Sequence, residues 1–254
     1  MTDLSAFSLQ GRTIMVTGAN TGIGQGIVLA AARAGAHVLG VARSTMADTE
    51  AQVAAAGGRL TSIACDLADH PAALAMLDAA VAAHGPLDGL VNNAGIIRRA
   101  ELAEHSEADW DAVMDINLKA LFLLSQAFAR QAIAASRPGK IVHIASLLSF
   151  QGGIRVAAYT ASKHAVAGLT KAMANEWAGR GINVNAIAPG YIESNNTSAI
   201  RADAERAAAI LGRIPANRWG QPADIGDAAV FLLARASDYM HGAIVPVDGG
   251  WLAR

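Results

Sequence analysis

Three side chains in one stretch of the sequence have the types and spacing of a proton-transfer site. Tyr159 and Lys163 stand four residues apart in a segment of helical pattern, so both lie on one helix face, one turn from each other. A free phenol ionises near pH ~10, and a neighbouring ammonium group favours the phenolate and lowers that pKa. Ser146 follows a strand-like apolar run and can donate a hydrogen bond to the same substrate oxygen. These residues predict a site that passes a proton to or from an alcohol or carbonyl oxygen.

A glycine-rich turn near the start of the chain indicates where a dinucleotide would bind. The apolar run 12–17 leads into Gly18, Gly22 and Gly24, and a helical pattern follows at once. Glycines at these positions allow a tight turn and the close approach of a pyrophosphate, and the free N–H groups at the start of the helix favour its charge. We therefore expect this turn to bind phosphates.

Strand-like apolar runs and helical segments alternate about six times along the chain. The predicted strands are residues 12–17, 37–42, 60–65, 87–91, 141–145, 182–188 and 243–247, and the predicted helices are 23–34, 47–56, 70–83, 106–135, one carrying Tyr159, and 222–234. Residues 191–219 have no clean period, and we expect one short helix there. Because most connections are too long for hairpins, the pattern predicts one domain with a parallel sheet covered by helices on both faces. Ligands collect at the carboxyl ends of such strands.

The composition narrows the class of protein. Hydrophobic residues make up 53% and charged residues 16% of 254 residues, which excludes a disordered chain and favours a well-filled, oligomeric protein. The net charge of −1 gives no electrostatic reason to expect nucleic acid or an anionic membrane as a partner. Cys65 is the single cysteine and the histidines lack metal-ligand spacing, so we expect no disulfide and no metal site.

The start of the chain bears on where the protein resides. The segment MTDLSAFSLQGR lacks the apolar core of a signal peptide, and no apolar run is long enough to span a bilayer. We therefore expect a cytoplasmic protein.

The glycine spacing, taken with further motifs in order along the chain, resembles that of the short-chain dehydrogenase/reductases. The motifs are Gly18-x-x-x-Gly22-x-Gly24, Asn92-Asn93-Ala94-Gly95, Asn117, Ser146, Tyr159-x-x-x-Lys163 and Pro189-Gly190. The resemblance covers essentially the whole chain. It implies a single-domain Rossmann fold over residues 1–254, with a doubly wound, seven-stranded parallel sheet and helices on both faces. It further implies a homotetramer, a dinucleotide-binding half at about residues 11–150, and a catalytic and substrate half at about residues 140–254.

The resemblance also implies roles for single residues. Tyr159 would be the acid/base, Lys163 would bind the nicotinamide ribose and lower the pKa of the tyrosine, and Ser146 would position the substrate oxygen. Asn117 would hold a water in the proton relay. The residues expected to contact the cofactor are Gly18, Asn20, Thr21, Gly22, Ile23, Gly24, Arg43, Asp66, Leu67, Asn93, Ala94, Gly95, Tyr159, Lys163, Pro189, Gly190 and Ile192.

The end of the second strand bears on the choice between NAD and NADP. An acidic residue there would bind the ribose 2′-OH of NAD. The position is Ala42, followed by Arg43, whose guanidinium suits the 2′-phosphate of NADP by charge and by geometry. The expected cofactor is therefore NADP or NAD, with NADP favoured.

Several segments resemble, more narrowly, the family members that act on deoxy sugar acids, namely 2-dehydro-3-deoxy-D-gluconate or 2-deoxy-D-gluconate. The most distinctive is Gln151-Gly152-Gly153-Ile154-Arg155, because it lies between Ser146 and Tyr159 and must border the substrate. An aldonate carries one carboxylate and several hydroxyls, so its pocket needs an arginine with polar partners. Besides Ser146 and Tyr159, the candidates for substrate contact are Arg98, Arg99, Arg155, Arg218, Gln151 and Asn195. A contribution of the C-terminal Arg254 to a neighbouring active site stays open.

Two other functions remain open. A 3-oxoacyl-thioester reductase of the same family would need a long apolar channel and a basic patch for an acyl carrier, whereas the arginine in residues 151–155 favours a small anion. A dinucleotide-binding regulator without catalysis usually lacks the serine, the tyrosine or the lysine, and all three are present here.

Overall fold

The computed structural model describes residues 4–254, which fold around one seven-stranded sheet. Residues 1–3, the start of the segment for which no signal peptide is expected, lie outside the described residues. The strands are β1 (Thr13–Thr17), β2 (His37–Ala42), β3 (Arg59–Ala64), β4 (Gly89–Asn92), β5 (Gly139–Ile144), β6 (Ile182–Pro189) and β7 (Ile244–Val247). Every neighbouring pair is parallel, in the order β3-β2-β1-β4-β5-β6-β7. The order reverses between β1 and β4, so the predicted doubly wound Rossmann sheet is confirmed.

Helices cover both faces of this sheet. They are α1 (Gly22–Arg33), α2 (Ala47–Ala55), α3 (His70–His84), α4 (Glu107–Met114), α5 (Leu121–Ala134), α6 (Ala157–Trp177), α7 (Asn195–Ala202), α8 (Ala204–Leu211) and α9 (Pro222–Leu233). Along β1, Ile14 and Val16 join the core under α1 and α9, while Met15 joins the core under α3, α5 and α6. Alternate residues of one strand therefore bury their side chains on opposite faces, as the pleat requires.

The helix predicted over residues 106–135 is interrupted. A π-helical turn, Asp115–Ala120, separates α4 from α5 and carries Asn117. Such turns insert one extra residue into a helix and concentrate at functional sites. By length and composition alone, Glu107–Ala134 taken as one piece could cross a membrane, and 44% of its most apolar window is buried inside the structure. Phe128 of this segment is 2% exposed and packs under the sheet, as in the core helix of a folded domain.

The segment expected to hold one short helix contains two, α7 and α8. Ser194 and Thr197 form a capping box that starts α7. Asp203 ends this helix and caps the next, because its side chain accepts a hydrogen bond from the backbone N–H of Arg206 at 3.1 Å. One shared cap therefore separates two helices that periodicity does not resolve.

Candidate active site

A cleft of about 520 Å³ runs along the carboxyl edge of the sheet. Because the strands are parallel, the segments that follow them meet at this edge. Its lining includes the glycine turn (residues 18–24), which follows β1, and the group Ser146, Tyr159 and Lys163. A further set of polar and aromatic lining residues is called here the distal end and comprises Arg99, Gln151, Asn195, Arg206, Arg213 and Trp251. Within this set Trp251 contacts both Gln151 and Arg213.

The glycine turn has the shape that a pyrophosphate requires. Gly18 and Gly22 have φ of +65° and +56°, in the left-handed region that favours glycine. A Cβ on Gly24 would lie 1.9 Å from the carbonyl oxygen of Gly18, so no larger residue fits there. α1 begins at Gly22, and its first N–H groups are available to an anion. The residues present therefore fit the phosphates of a dinucleotide.

Neighbouring side chains hold the glycine turn in place. Asn93 donates from Nδ2 to the carbonyl oxygens of Thr17 and Gly18, at 2.9 and 3.1 Å. Thr17 Oγ1 in return accepts the backbone N–H of Asn93 at 3.0 Å. The fully buried Thr49 donates to two carbonyl oxygens of residues 19 and 20. The side chain of Asn93, predicted to contact the cofactor, is thus committed to the shape of the turn.

Ser146, Tyr159 and Lys163 come together as predicted. Lys163 Nζ lies 5.4 Å from the centroid of the Tyr159 ring and donates to the carbonyl oxygen of Ile144 at 2.5 Å. A side-chain hydrogen bond joins Ser146 to Tyr159. Ser146 Oγ also accepts the backbone N–H of Leu148 at 3.1 Å, which fixes the orientation of the hydroxyl. The arrangement places a phenol, a hydroxyl and an amine where one substrate oxygen can meet the first two.

Burial controls the ionisation of this group. Desolvation raises the pKa of Tyr159, and the hydrogen bond from Ser146 and the charge of Arg99 pull it back only in part. Desolvation also lowers the pKa of Lys163 to about 8. Burial thus penalises the charged forms of both side chains in the chain by itself, and the lowering of the Tyr159 pKa by Lys163 stays a prediction.

Asn117 lies behind the cleft and does not line it. Its Oδ1 accepts the N–H of Ile96 at 2.8 Å, and its Nδ2 donates to the carbonyl of Ile96 at 3.0 Å and to Ser162 Oγ at 3.3 Å. Ser162 Oγ donates to the carbonyl of Tyr159 at 2.8 Å. The amide of Asn117 therefore connects the loop at Ile96 to the turn of α6 that carries Tyr159, and its role in a proton relay stays a prediction.

Three arginines predicted to contact the substrate lie outside the cleft lining. Each pairs with a nearby carboxylate: Arg98 with Asp109 at 3.2 Å, Arg155 with Glu101 at 3.1 Å and Arg218 with Asp224 at 2.7 Å. Arg155 also has φ of +62°, which turns the backbone into α6. Each of these three guanidinium groups therefore has an acidic partner on the surface, and their contact with a substrate stays a prediction.

Other arginines occupy the distal end. Of the predicted candidates, Arg99, Gln151 and Asn195 line it, and Arg206 and Arg213 join them from α8 and the turn after it. The last two were missed because residues 191–219 show no helical period. The two arginines are seven residues apart, which is two helical turns, and this spacing could have indicated that both face the same side of a helix.

The predicted contacts to the adenosine end follow β2 and β3. Arg43 and Asp66 form an exposed ion pair, 3.7 Å between Nη1 and Oδ2, at the same sheet edge but outside the cleft lining. Asn20 donates to Ser44 Oγ at 2.8 Å, so the glycine turn touches the residue after Arg43. Leu67 is 8% exposed and packs in the core, and its contact with the cofactor stays a prediction.

The remaining predicted cofactor contacts all line the cleft. They are Gly18, Asn20, Thr21, Gly22, Ile23, Gly24, Asn93, Ala94, Gly95, Tyr159, Lys163, Pro189, Gly190 and Ile192.

This sheet, with its glycine turn and its serine, tyrosine and lysine at one edge, is the architecture of a dehydrogenase class. A family model described as enoyl-(acyl carrier protein) reductase matches residues 18–252, and the chain belongs to the short-chain dehydrogenase/reductase family. It is therefore an oxidoreductase by family.

Individual relatives are similar over nearly their whole length. The 2-dehydro-3-deoxy-D-gluconate 5-dehydrogenase of Escherichia coli (strain K12) is 55% identical over 251 residues, 99% of each chain. A crystal structure from Agrobacterium tumefaciens, provisionally named a 2-deoxy-D-gluconate 3-dehydrogenase and containing bound NADP, is 61% identical with a TM-score of 0.94, covering 98% of this chain and 99% of that one. A gluconate 5-dehydrogenase from Burkholderia cenocepacia J2315, in complex with NADP and tartrate, is 38% identical with a TM-score of 0.94 over 99% of each chain.

Proposed function

We propose that this chain interconverts a secondary alcohol and a ketone on a deoxy sugar acid, with NADP as the favoured nicotinamide cofactor. The substrate is of the class of 2-dehydro-3-deoxy-D-gluconate or 2-deoxy-D-gluconate. The observation that carries the proposal is that one cleft is lined by Ser146 and Tyr159, by a glycine turn that fits phosphates and by three arginines. The names of relatives at 55% and 61% identity support the same substrate class.

Tyr159 moves the proton in this proposal. In the oxidising direction the phenolate of Tyr159, which the ammonium group of Lys163 would stabilise, accepts the substrate O–H proton and becomes the neutral phenol, while a hydride leaves the carbinol carbon and the carbonyl forms. Ser146 donates a hydrogen bond to the substrate oxygen in both directions. Lys163, 4% exposed beside the phenol, binds the ribose and keeps positive charge near the oxygen. When bound, the nicotinamide accepts or returns the hydride.

The glycine turn and the segments after β2 and β3 would hold the dinucleotide, within the half formed by residues 11–150. Arg43 favours NADP, because its pair with Asp66 is long and exposed and a 2′-phosphate can replace it. The bound NADP in the Agrobacterium tumefaciens and Burkholderia cenocepacia structures supports this choice. Asp66 would contact the adenine, and Pro189, Gly190 and Ile192 the nicotinamide end.

The distal end would hold the acid group of the substrate, within the half formed by residues 140–254. Three guanidinium groups there, with the amides of Gln151 and Asn195, supply the charge and the hydrogen-bond donors that an aldonate needs. Of these, Arg99 is the one whose charge also acts on Tyr159. An anion bound at this end would therefore lie within electrostatic reach of the proton-transfer group.

A reductase of acyl thioesters is the second candidate, favoured by the description of the matching family model. Apolar side chains such as Leu148, Ile154 and Ile200 also line the cleft. Comparing kcat/KM for 2-deoxy-D-gluconate and for a 3-oxoacyl thioester separates the two candidates. Turnover of the thioester alone would contradict the sugar-acid proposal and leave the fold unaffected.

The variant Tyr159→Phe tests the chemistry, because it removes the hydroxyl and keeps the ring. We expect kcat to fall by roughly 10²–10⁴-fold, because the variant lacks the general acid/base. The Kd for NADP, measured by fluorescence titration, should stay near the wild-type value. A kcat close to wild type would contradict the role of Tyr159. Measuring kcat/KM with both cofactors in the same assay tests the preference for NADP over NAD.

We further propose a cytoplasmic homotetramer. Leu102, Trp110 and Phe122 leave 75%, 40% and 37% of their surfaces exposed on or just before α4 and α5, which supports an interface between copies there. Within the single chain, Arg254 donates to the carbonyl of Gly212 at 2.9 Å. Light scattering behind a sizing column measures the mass, and a monomer would contradict the proposal.

A further inference from the structure

Trp251 joins two parts of the distal end that are far apart in sequence. The side chain is 5% exposed and lines the cleft. Its Nε1 donates to Oε1 of Gln151 at 3.1 Å, a contact across 100 residues. The guanidinium carbon of Arg213 lies 4.0 Å from the centroid of its ring. One indole therefore contacts both an amide and a cation that face the same end of the cleft.

The hydrogen bond fixes which way the amide of Gln151 faces. An indole N–H can only donate, so its partner must be the amide oxygen and not the amide nitrogen. This choice leaves the NH₂ group of Gln151 for an oxygen in the cleft. Without the bond the amide can turn over and present its oxygen, which would repel a carboxylate.

The ring also orients Arg213. A guanidinium stacked on an indole keeps its N–H groups in the plane parallel to the ring and pointing outward from its edge. A stacked arginine loses less side-chain freedom on binding an anion than one that is free in solvent. Trp251 thereby holds the charged guanidinium of Arg213 in one orientation, next to the neutral NH₂ donor of Gln151.

Trp251 is itself held firmly. The Asp248 carboxylate accepts the N–H groups of Gly250 at 2.8 Å and Leu252 at 2.9 Å, which fixes the turn on both sides of the tryptophan. Gly250 has φ of +89°, a conformation that favours glycine. The ring of Tyr191 packs against the indole with centroids 4.8 Å apart. The indole is thus a fixed support for its two partners.

We propose that Trp251 is a positioning residue that determines specificity for an acid substrate. It presents the NH₂ group of Gln151 and the guanidinium of Arg213 to the carboxylate or the adjacent hydroxyl of the substrate. The inference rests on the proposed function and extends it to the C-terminal turn of the chain.

The variant Trp251→Phe tests the inference, because phenylalanine keeps an aromatic ring for Arg213 and removes the N–H that Gln151 accepts. We expect KM for 2-deoxy-D-gluconate to rise about tenfold, the loss typical of one hydrogen bond whose partner is left unpaired. The kcat and the Kd for NADP should stay within about twofold of wild type on the same reasoning. The matched control is Trp177→Phe, at the end of α6 and outside the cleft lining, which should keep the wild-type KM.

A second variant keeps the test decisive if Trp251→Phe folds poorly. Gln151→Met removes the same hydrogen bond from the loop side, and adding Trp251→Phe in that background should change KM little. A merely structural role would instead lower Tm and reduce kcat together with NADP affinity. An unchanged KM in Trp251→Phe, or equal effects in both backgrounds, would overturn the inference alone. No turnover of 2-deoxy-D-gluconate by the wild type would overturn the proposed function as well.

Discussion

The clearest quantitative test of the structure concerns His143, a buried histidine on β5 next to the active-site strand end. The ring is 0% exposed, with Nδ1 at 3.0 Å from Thr170 Oγ1 and Nε2 at 3.2 Å from Ser125 Oγ. Burial lowers its pKa from 6.5 to about 3, with a smaller contribution from the charge of Lys163. The folded chain therefore keeps this ring neutral over a pH range in which the unfolded chain protonates it.

The sign and the size of the effect follow from proton linkage. Between pH 6.5 and about 3 the unfolded state binds one proton more at His143, so the stabilisation is complete above pH 6.5 and is lost as the pH falls. Each pH unit below the unfolded-state pKa corresponds to about 1.4 kcal/mol. Lowering the pH from 7 to 5 should therefore reduce the free energy of unfolding by about 2 kcal/mol through His143 alone.

Urea denaturation of the wild type and of His143→Gln, at pH 7 and pH 5 and one fixed protein concentration, measures this difference. Glutamine retains a donor and an acceptor but does not titrate, so the variant should lose about 2 kcal/mol less than the wild type. The control His164→Gln, on the exposed face of α6, should keep the wild-type pH slope. Equal slopes for His143→Gln and the wild type would refute a depressed pKa at His143.

Two further predictions concern the cleft. Gly24→Ala should weaken NADP binding at least tenfold, because the added Cβ would lie 1.9 Å from the Gly18 carbonyl oxygen and must displace the turn. Calorimetry measures the Kd, and the circular dichroism spectrum should stay that of the wild type. An unchanged Kd would contradict the close approach at this turn. Arg99→Ala should raise KM for the sugar acid about tenfold or more, through loss of a charged hydrogen bond. Arg218→Ala, outside the cleft lining, should leave KM within about twofold, since its guanidinium already pairs with Asp224, and the reverse ranking in steady-state kinetics would restore the sequence-based assignment.

The sheet and the proton-transfer group were predictable because their signals are local or repeat along the chain. Strands and helices alternate with their own periods, and parallel strands bring their carboxyl ends to one edge whatever their order. Tyr159 and Lys163 need only one helix to face the same way, and Ser146 needs only the strand end before it. The number of strands and their doubly wound arrangement followed from the resemblance to the family, and the strand order came from the structure.

The features of the site that the sequence did not predict also have identifiable physical causes. A π turn leaves no sign in hydrophobic periodicity, because the extra residue at Asn117 is fixed by its bonds to the backbone of Ile96, 21 residues earlier. Arg155 was assigned to the substrate because it stands between Ser146 and Tyr159 in sequence, and its ion pair with Glu101, from another loop, was not predicted. The rise in the pKa of Tyr159 was not predicted either, because charged neighbours can be inferred from spacing, whereas desolvation depends on the whole fold.

The residues of the cleft that were predicted lie close together in sequence, whereas those that were missed belong to a part of the lining drawn from distant segments. The proton-transfer group is contained in residues 146–163, so its spacing persists wherever the fold persists. The distal end is assembled from segments near residues 99, 151, 206, 213 and 251, so its composition can change without moving Tyr159. One fold can then support sugar acids in some relatives and acyl-carrier substrates in others, as the names of the relatives and of the family model suggest. Specificity in this chain must therefore be tested at the contacts of Trp251, which no local sequence pattern could have joined.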